Sequence, residues 1–261
     1  MKKNDVILIT NDDGFKAKGI KVLRSIALKL SDDVWEFSPL SNNSGKSHSI
    51  TINKQIKINQ QKDKVFIIKG TPVDCVIFGV KYLYINKVRP SIILSGVNYG
   101  QNMGLDLLYS GTVAAAREGS ILGIQSFSIS LEKNKKSSNW NTVKYYIPKI
   151  ISSISKLDLD SNIFYNINIP NKTIKKIKGC KIVKAGKRKP GDVSKVVRVN
   201  SKTLNFFVPS ERSIHKTAVI NEDEYEMKKS FITITYHSNF HLNDNLLTKK
   251  LTYALRNTLE Q

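Results

Sequence analysis

The first 30 residues contain a strand, a turn and a helix in immediate succession. Val6–Thr10 is a short apolar run of the kind found inside parallel sheets, where both faces of a strand are buried. Asn11-Asp12-Asp13-Gly14 ends this run, and from Gly19 to Leu30 apolar residues recur at helical spacing. A buried strand followed by an amphipathic helix is the repeating unit of a sheet that carries helices on its faces.

The same alternation of strands and helices continues to about residue 133. The further predicted strands are Val34–Ser38, Val65–Lys69, Ser91–Ser95 and Phe127–Ser130, and further helices are predicted to begin at Thr71-Pro72 and at Thr112. The isoleucines of segment 50–58 share one parity, which predicts an extended strand or hairpin arm with one buried face. We therefore expect an α/β fold with a mostly parallel sheet covered by helices on both faces.

Beyond residue 133 the pattern is less regular. A helix is predicted over Thr142–Ile154, interrupted or kinked at Pro148, and is followed by a strand over Phe164–Ile169. Residues 174–220 contain short β segments and basic turns, and the predicted elements after them are a strand at Ile232–Tyr236 and a closing helix at Leu246–Leu259. Because no repeat or clear linker divides the chain, we expect a single domain over residues 1–261. Residues 1–133 form its core, and residues 134–261 complete the core and add a β-rich C-terminal extension.

The net charge of +21, from 42 basic and 21 acidic residues, suggests a nucleic-acid partner at first sight. Only seven of the basic residues are arginine, and the lysines accompany abundant Ile, Asn and Ser, a pattern that genome composition can produce. Lys172–Lys189 stands apart, with nine basic residues and no acidic one. This stretch is either a functional cationic surface or a solvated part of the same compositional drift.

Compartment and membrane association are constrained by what the sequence contains. The first apolar run is too short for a signal-peptide core, and no later run approaches the roughly 20 residues that span a bilayer. Cys75 and Cys180 are not spaced as metal ligands and do not form a disulfide framework. We therefore expect a cytoplasmic protein without disulfide bonds or a membrane partner.

Two adjacent carboxylates, Asp12 and Asp13, follow the first strand, at the edge of the sheet where open parallel folds bind ligands. They would repel each other without a cation or proton between them, and hard oxygen ligands suit Mg²⁺ or Mn²⁺. An acidic turn without metal is the alternative, because Asn-Asp-Asp-Gly is also good turn composition. Ser44, Gly45 and His48 follow the second strand and should reach the same edge.

A loop rich in glycine and asparagine follows the strand Ser91–Ser95. Its glycines allow close approach of backbone to a ligand, and Asn98 and Asn102 supply amide donors and carbonyl ligands. The loop leads to Ser110-Gly111-Thr112 at a helix start, which is either an anion site or a plain N-cap. His48 could act as an acid, but packing in its loop or contact with substrate is favoured, because the sequence shows no partner for it. Cation ligands beside anion donors are what phosphate-ester hydrolysis requires.

Several of these segments resemble, in the same order, the motifs of the SurE family of 5′-nucleotidases. The matching segments are Ile7–Gly14, Ser44-Gly45 with Ser47–Thr51, Gly70–Val76, Ser95–Asn98, Tyr109–Ala116 and Asn166–Pro170. The resemblance implies a Rossmann-like, cytoplasmic nucleotide phosphatase that forms a homodimer or homotetramer. It further implies activity on nucleoside 5′-monophosphates, in some members also on 3′-nucleotides and short polyphosphate, and it places a Gly-Lys-Arg stretch, here Gly186–Arg188, near the substrate entrance.

The resemblance also assigns roles to individual residues. One divalent cation per subunit, Mg²⁺ or Mn²⁺, would be held by Asp12, Asp13, Ser44 and Asn98, with Asp12 and Asp13 as the catalytic pair. The candidates for substrate or phosphate contacts are Asn11, Gly45, His48, Asn102, Ser110, Gly111 and Thr112. The C-terminal part departs from the family, which usually has Gly and Pro where this chain has Ser230 and Tyr236. The arm that members exchange between subunits could therefore differ in this chain.

Three other function classes compete with this hypothesis. A haloacid-dehalogenase-type phosphatase also begins with a strand and two aspartates, but its aspartates are separated by one residue, whereas Asp12 and Asp13 are adjacent. A dinucleotide oxidoreductase needs a Gly-x-Gly-x-x-Gly turn after the first strand, which is absent from this sequence. A non-enzymatic nucleic-acid binder would depend on net charge alone, and we expect no specific binding to nucleic-acid duplexes.

Overall fold

The structure is a computed structural model that describes residues 3–134, 137–157, 162–188, 194–209, 219–239 and 244–259. Within these ranges the strands are β1 (Val6–Thr10), β2 (Val34–Pro39), β3 (Ile58–Lys62), β4 (Val65–Ile68), β5 (Pro90–Tyr99), β6 (Gln125–Leu131), β7 (Ile163–Ile169), β8 (Cys180–Ile182), β9 (Lys195–Arg198), β10 (Leu204–Phe207) and β11 (Ile232–Ser238). The helices are α1 (Lys18–Leu30), α2 (Pro72–Ile85), α3 (Gly111–Ile121), α4 (Trp140–Ile154), α5 (Asp223–Lys228) and α6 (Asp244–Leu259). Gly104–Leu108 and Ile174–Lys176 form short 3₁₀ helices.

A nine-stranded sheet with the order β3-β4-β2-β1-β5-β6-β7-β11-β8 forms the centre of the molecule. The pairs β3–β4 and β7–β11 are antiparallel, and the other neighbouring pairs of this sheet are parallel. The chain leaves β1 toward β2 and later returns to β5 on the opposite side of β1, so the strand order reverses between β1 and β5. The carboxyl ends of two such strands border the usual ligand crevice of an open α/β sheet.

Helices cover both faces of this sheet, as β1 illustrates. Ile7 and Ile9 point into a large apolar cluster that includes residues of α1, α4 and α6, whereas Leu8 packs into a second cluster that includes residues of α2. All three side chains are fully buried. Alternation of side chains across a strand that is apolar on both faces requires a helical layer on each side. The predicted α/β fold with a mostly parallel, Rossmann-like sheet is therefore confirmed.

Local sequence signals explain where the helices beside the site begin. Thr71 and Asp74 form a capping box at α2, in which Thr71 Oγ1 accepts from the Asp74 amide at 3.1 Å and the Asp74 carboxylate accepts from the Thr71 amide at 2.8 Å. Pro72 occupies the first turn, where its missing N–H has no helical partner to lose. The Ser110 hydroxyl accepts from the Val113 amide at 3.1 Å and caps α3.

The C-terminal part adds a hairpin and a helix to the sheet. Strands β9 and β10 form an antiparallel pair separate from the nine-stranded sheet, and Val196 and Phe206 on it are 62% and 65% exposed. Leu251 and Leu255 of the closing helix α6 are buried in the large cluster. The predicted β-rich extension and closing helix are thus present. None of the helices in the described ranges has both the length and the apolar character needed to cross a membrane.

The extended strand or hairpin arm expected over residues 50–58 is wrong for residues 50–57, because only Ile58 belongs to β3, which pairs with β4. Ile50 and Ile52 are 46% and 64% exposed. The Asp74 carboxylate at the start of α2 accepts hydrogen bonds from the Thr51 amide at 2.9 Å and from its hydroxyl at 2.6 Å. The segment is therefore held by the N-terminus of α2 and not by pairing with a neighbouring strand.

Ser230 and Tyr236, at which the C-terminal part was expected to depart from the resemblance, each have an identifiable contact. Ser230 has a φ of +79°, a value that favours glycine, and its hydroxyl accepts from Lys172 Nζ at 2.6 Å. The Tyr236 hydroxyl lies 2.6 Å from Thr248 Oγ1 and links β11 to α6. The turn that precedes β11 therefore places a serine at a φ that favours glycine.

Candidate active site

The turn after β1 presents two carboxylates at the crevice between β1 and β5. Asn11 Nδ2 donates to the Gly14 carbonyl at 2.9 Å, and Gly14 has a φ of +94° that glycine readily adopts. Asp12 is only 3% exposed. Burial and then the neighbouring charge of Asp13 raise the pKa of Asp12 to about 6, against the opposing effect of a hydrogen bond from Thr112. Burial also raises the pKa of Asp13.

A polar cavity of about 370 Å³ lies over this turn. It brings together seven of the residues predicted from the sequence: Asp12, Asp13, Ser44, Gly45, Asn98, Asn102 and Ser110. These residues come from the segments that follow β1 and β2, from β5 and the loop after it, and from the N-cap of α3. Asn11, His48, Gly111 and Thr112 lie outside the lining of this cavity. Most of the candidates therefore lie together at the edge where the carboxyl ends of the parallel strands meet, as expected for an open α/β sheet.

Thr112 and Gly111, expected as phosphate contacts, lie behind Asp12. The Thr112 hydroxyl is fully buried and donates to Asp12 Oδ1 at 2.6 Å. A Cβ on Gly111 would lie 2.9 Å from the Asp12 Cβ, so only glycine allows α3 to approach this closely. The start of α3 is thus packed against Asp12, and the Thr112 proton is directed to that carboxylate.

The loop after β2 carries Ser44 and is fixed at both ends. The Asn43 amide donates to the Asp12 carbonyl at 2.7 Å, and Ser47 Oγ donates to the Leu108 carbonyl at 2.5 Å. His48 Nε2 lies 2.8 Å from Glu118 Oε2 on α3. This contact joins the His48 loop to α3.

Asn98, in the last part of β5, and Asn102 contribute side-chain amide groups to the cavity lining. Asn98 Nδ2 donates to the Gly100 carbonyl at 2.6 Å, and its side-chain oxygen takes no part in this contact. Asn102 Nδ2 donates to Ser130 Oγ at 3.0 Å, and the Asn102 amide donates to Asn168 Oδ1 at 2.8 Å. The conformation of this loop is therefore set by polar residues of β6 and β7.

Comparison with known proteins adds a family to this geometry. The family model described as Survival protein SurE matches residues 7–192. The protein belongs to the SurE family. Proteins named 5′-nucleotidase SurE from Rhodopseudomonas palustris (strain TIE-1) and Nitrobacter winogradskyi are 42% and 40% identical over 188 residues, which cover 71% of this chain and 73% of each relative. The crystal structure of SurE protein from Aquifex aeolicus superposes with a TM-score of 0.79 at 28% identity, covering 95% of this chain and 98% of that one.

Four further residues line this SurE-family site, and of these only Arg188 was expected near the substrate entrance, from the resemblance. Lys133 and Arg188 line the cavity together with Asp106 and Tyr109. Arg188 Nε lies 2.9 Å from Asp106 Oδ2, and both side chains are largely buried. Lys133 follows β6, so its position after a parallel strand could have predicted its place at this edge of the sheet. The sequence contains no signal that pairs Asp106 with Arg188, because 82 positions separate them.

The basic stretch Lys172–Lys189 divides in the structure. Arg188 faces the active-site cavity, whereas Lys184 and Lys187 are exposed and Lys189 lies outside the described residues. Lys172, Lys175, Lys176 and Lys178 line a separate open groove of about 730 Å³ that also includes Asn134. Asn134 of the groove is next in the chain to Lys133, which lines the active-site cavity. The excess charge is thus adjacent to the site of this SurE-family chain.

The donor atoms at this edge fit a hard divalent cation. Asp12 and Asp13 supply carboxylates, and Ser44 and Asn98 supply neutral oxygens in the same cavity. The buried Oδ1 of Asn11, in the same turn, has no hydrogen-bond partner among the described residues. The described residues include no group of three or more His, Cys, Asp or Glu side chains that could hold a metal. The oxygen-rich set therefore suits Mg²⁺ or Mn²⁺ better than zinc.

Proposed function

We propose that this protein is a divalent-metal-dependent phosphomonoesterase that hydrolyses nucleoside 5′-monophosphates to nucleoside and phosphate. The observation that carries the proposal is the pairing of the adjacent carboxylates of Asp12 and Asp13 with the cationic side chains of Lys133 and Arg188 in one cavity. Membership of the SurE family and the names of its relatives, 5′-nucleotidase SurE, support the choice of substrate. Some activity on 3′-nucleotides and short polyphosphate belongs to the same proposal.

Each side of the cavity has its own task in this proposal. When held by Asp12, Asp13, Ser44 and Asn98, a hard divalent cation supplies Lewis-acid charge for the phosphoryl oxygens and increases the acidity of water. Lys133 and Arg188 neutralise the remaining charge on the phosphoryl oxygens. Thr112 donates to Asp12 at 2.6 Å and holds this carboxylate in one orientation.

The substrate's leaving group requires room beside the charged atoms. Tyr109, which lines the cavity and is 47% exposed, offers an aromatic face for a nucleobase.

The exposed apolar hairpin β9–β10 is the surface through which we propose that subunits associate as a homodimer or homotetramer. A cytoplasmic location completes the proposal.

The alternatives make different predictions for the same assay. Release of inorganic phosphate from AMP and from p-nitrophenyl phosphate is measured after treatment with EDTA and after return of Mg²⁺ or Mn²⁺. We expect activity that disappears on chelation and returns with the cation. Full activity of metal-stripped protein would refute the metal-dependent mechanism, and no turnover of either ester under any condition would favour a non-enzymatic binding protein.

A further inference from the structure

Asp223, the first residue of α5, lies beside the active-site cavity although it is distant in sequence. Its side chain is fully buried. Oδ2 accepts from the Gly104 amide at 2.8 Å, and Oδ1 accepts from the amides of Gly186 at 3.1 Å and Glu224 at 2.8 Å. One carboxylate therefore joins α5 to the loop after β5 and to the segment that carries Arg188.

These two segments also contact each other directly. The Leu105 amide donates to the Arg188 carbonyl at 2.6 Å. A Cβ on Gly104, which has a φ of +55°, would lie 2.8 Å from both the nitrogen and the carbonyl oxygen of Arg188. The Arg188 side chain in turn pairs with Asp106 at 2.9 Å within the cavity lining. The location of the Arg188 guanidinium thus depends on this close backbone approach.

The charge of Asp223 suits three amide donors. Burial raises its pKa, and the amides of Gly104, Gly186 and Glu224 together with the charge of Arg188 oppose that rise. An ionised carboxylate only accepts hydrogen bonds, whereas asparagine would present an NH₂ group to one of these N–H donors. Asparagine at position 223 is therefore expected to keep the volume and lose the clamp.

We propose that Asp223 is a positioning residue that holds Arg188 at the catalytic cavity by clamping its segment to the loop after β5, an inference that rests on the phosphatase function proposed above. Its contacts are with backbone amides, and its effect on the reaction passes through Arg188. Substrate phosphate would therefore bind more weakly when the clamp is lost, even though Asp12 and Asp13 are unchanged.

The test compares Asp223→Asn with a matched control on the same helix, Glu226→Gln. Glu226 is 1% exposed and accepts from Lys181 Nζ at 2.7 Å, outside the cavity lining. With saturating Mn²⁺, we expect Asp223→Asn to raise the KM for AMP and the Kd for inorganic phosphate by about tenfold or more, as for loss of a charged hydrogen bond, with a smaller change in kcat. Glu226→Gln is expected to lower Tm and leave both constants unchanged.

A double-mutant cycle with Arg188→Gln separates positioning from general destabilisation. The double variant should bind inorganic phosphate no more weakly than Arg188→Gln alone, and additive losses would overturn the proposal. If Asp223→Asn does not fold, Gly104→Ala tests the same clamp, because its added Cβ would lie 2.8 Å from the backbone nitrogen and carbonyl oxygen of Arg188. A folded variant of either kind with wild-type phosphate affinity also overturns it. Calorimetric binding of inorganic phosphate needs no turnover, so absent AMP hydrolysis would refute the proposed function separately.

Discussion

Replacing Thr112 by valine distinguishes a residue that orients Asp12 from one that binds phosphate. Valine keeps the shape of the side chain and removes the hydroxyl that donates to Asp12 Oδ1 at 2.6 Å. Both residues are buried, Thr112 at 0% and Asp12 at 3% exposure, so water does not readily replace the lost donor. A hydrogen bond to a charged group contributes about 1.5–3 kcal/mol, which corresponds to ~10- to 150-fold in an equilibrium constant.

Thr112 donates to Asp12, which is a proposed cation ligand. We therefore expect Thr112→Val to bind the cation more weakly. Loss of an outer-shell partner lowers metal affinity by about 10- to 100-fold, which agrees with the energy of the hydrogen bond. The assay is a Mn²⁺ titration of AMP hydrolysis, followed by inhibition with inorganic phosphate at saturating Mn²⁺. Thr112→Val should need more Mn²⁺ and keep wild-type phosphate inhibition.

The control variant is Thr142→Val, which removes a buried 2.6 Å hydrogen bond from Thr142 Oγ1 to the Lys172 carbonyl, away from the cavity lining. It is expected to lower stability by about 1 kcal/mol and leave the Mn²⁺ requirement unchanged. Weaker phosphate inhibition with an unchanged Mn²⁺ requirement in Thr112→Val would refute the orienting role. That result would return Thr112 to the phosphate-contact role expected from the sequence.

Three further predictions follow from the site, from a partly buried histidine and from the charged groove. Asp12→Asn is expected to lower kcat by ~10³-fold or more while the fold survives by circular dichroism, because it removes charge from the cation site and relieves repulsion from its neighbour. Burial, and then the charge of Arg117, lowers the pKa of His237 from 6.5 to about 4. Between these two pKa values the unfolded chain binds a proton that the folded chain does not. The free energy of unfolding should therefore fall by up to about 3 kcal/mol as the pH is lowered from 6.5 to 4. Denaturant titrations should show a smaller fall with pH in His237→Gln. Replacing Lys175, Lys176 and Lys178 of the groove with glutamine should lower kcat/KM for AMP at low salt and much less at high salt, and equal salt dependence in both proteins would assign the groove to solvated surface.

Local patterns in the sequence predicted the core elements to within a few residues. Helix α1 was expected from Gly19 to Leu30 and spans Lys18–Leu30, because its apolar periodicity is sufficient to define it. The strand expected over residues 50–57 does not form. Thr51 instead donates to the Asp74 carboxylate, 23 positions away in the chain, and the spacing of the isoleucines does not predict this contact. Short-range periodicity thus predicts an element well until a distant polar group competes for its backbone.

The candidate site divides in the same way. Asp12, Ser44 and Asn98 could be expected at one edge because each follows or ends a strand of the same sheet. The contact of Asp223 with Gly104 spans 119 positions and links two segments without any shared motif. Such contacts depend on the completed fold, so residue type and spacing cannot reveal them.

The binding of Mn²⁺ tests the central claim most directly, because it examines the proposed cation site without requiring turnover. Electron paramagnetic resonance can count the Mn²⁺ ions bound by metal-stripped wild-type protein and by Asp13→Asn, with Glu226→Gln as a folded control that alters a carboxylate outside the cavity lining. The account predicts one tightly bound Mn²⁺ per chain in the wild type and in Glu226→Gln, and a loss of tight binding in Asp13→Asn. Equal Mn²⁺ binding by the wild type and a folded Asp13→Asn variant would contradict it.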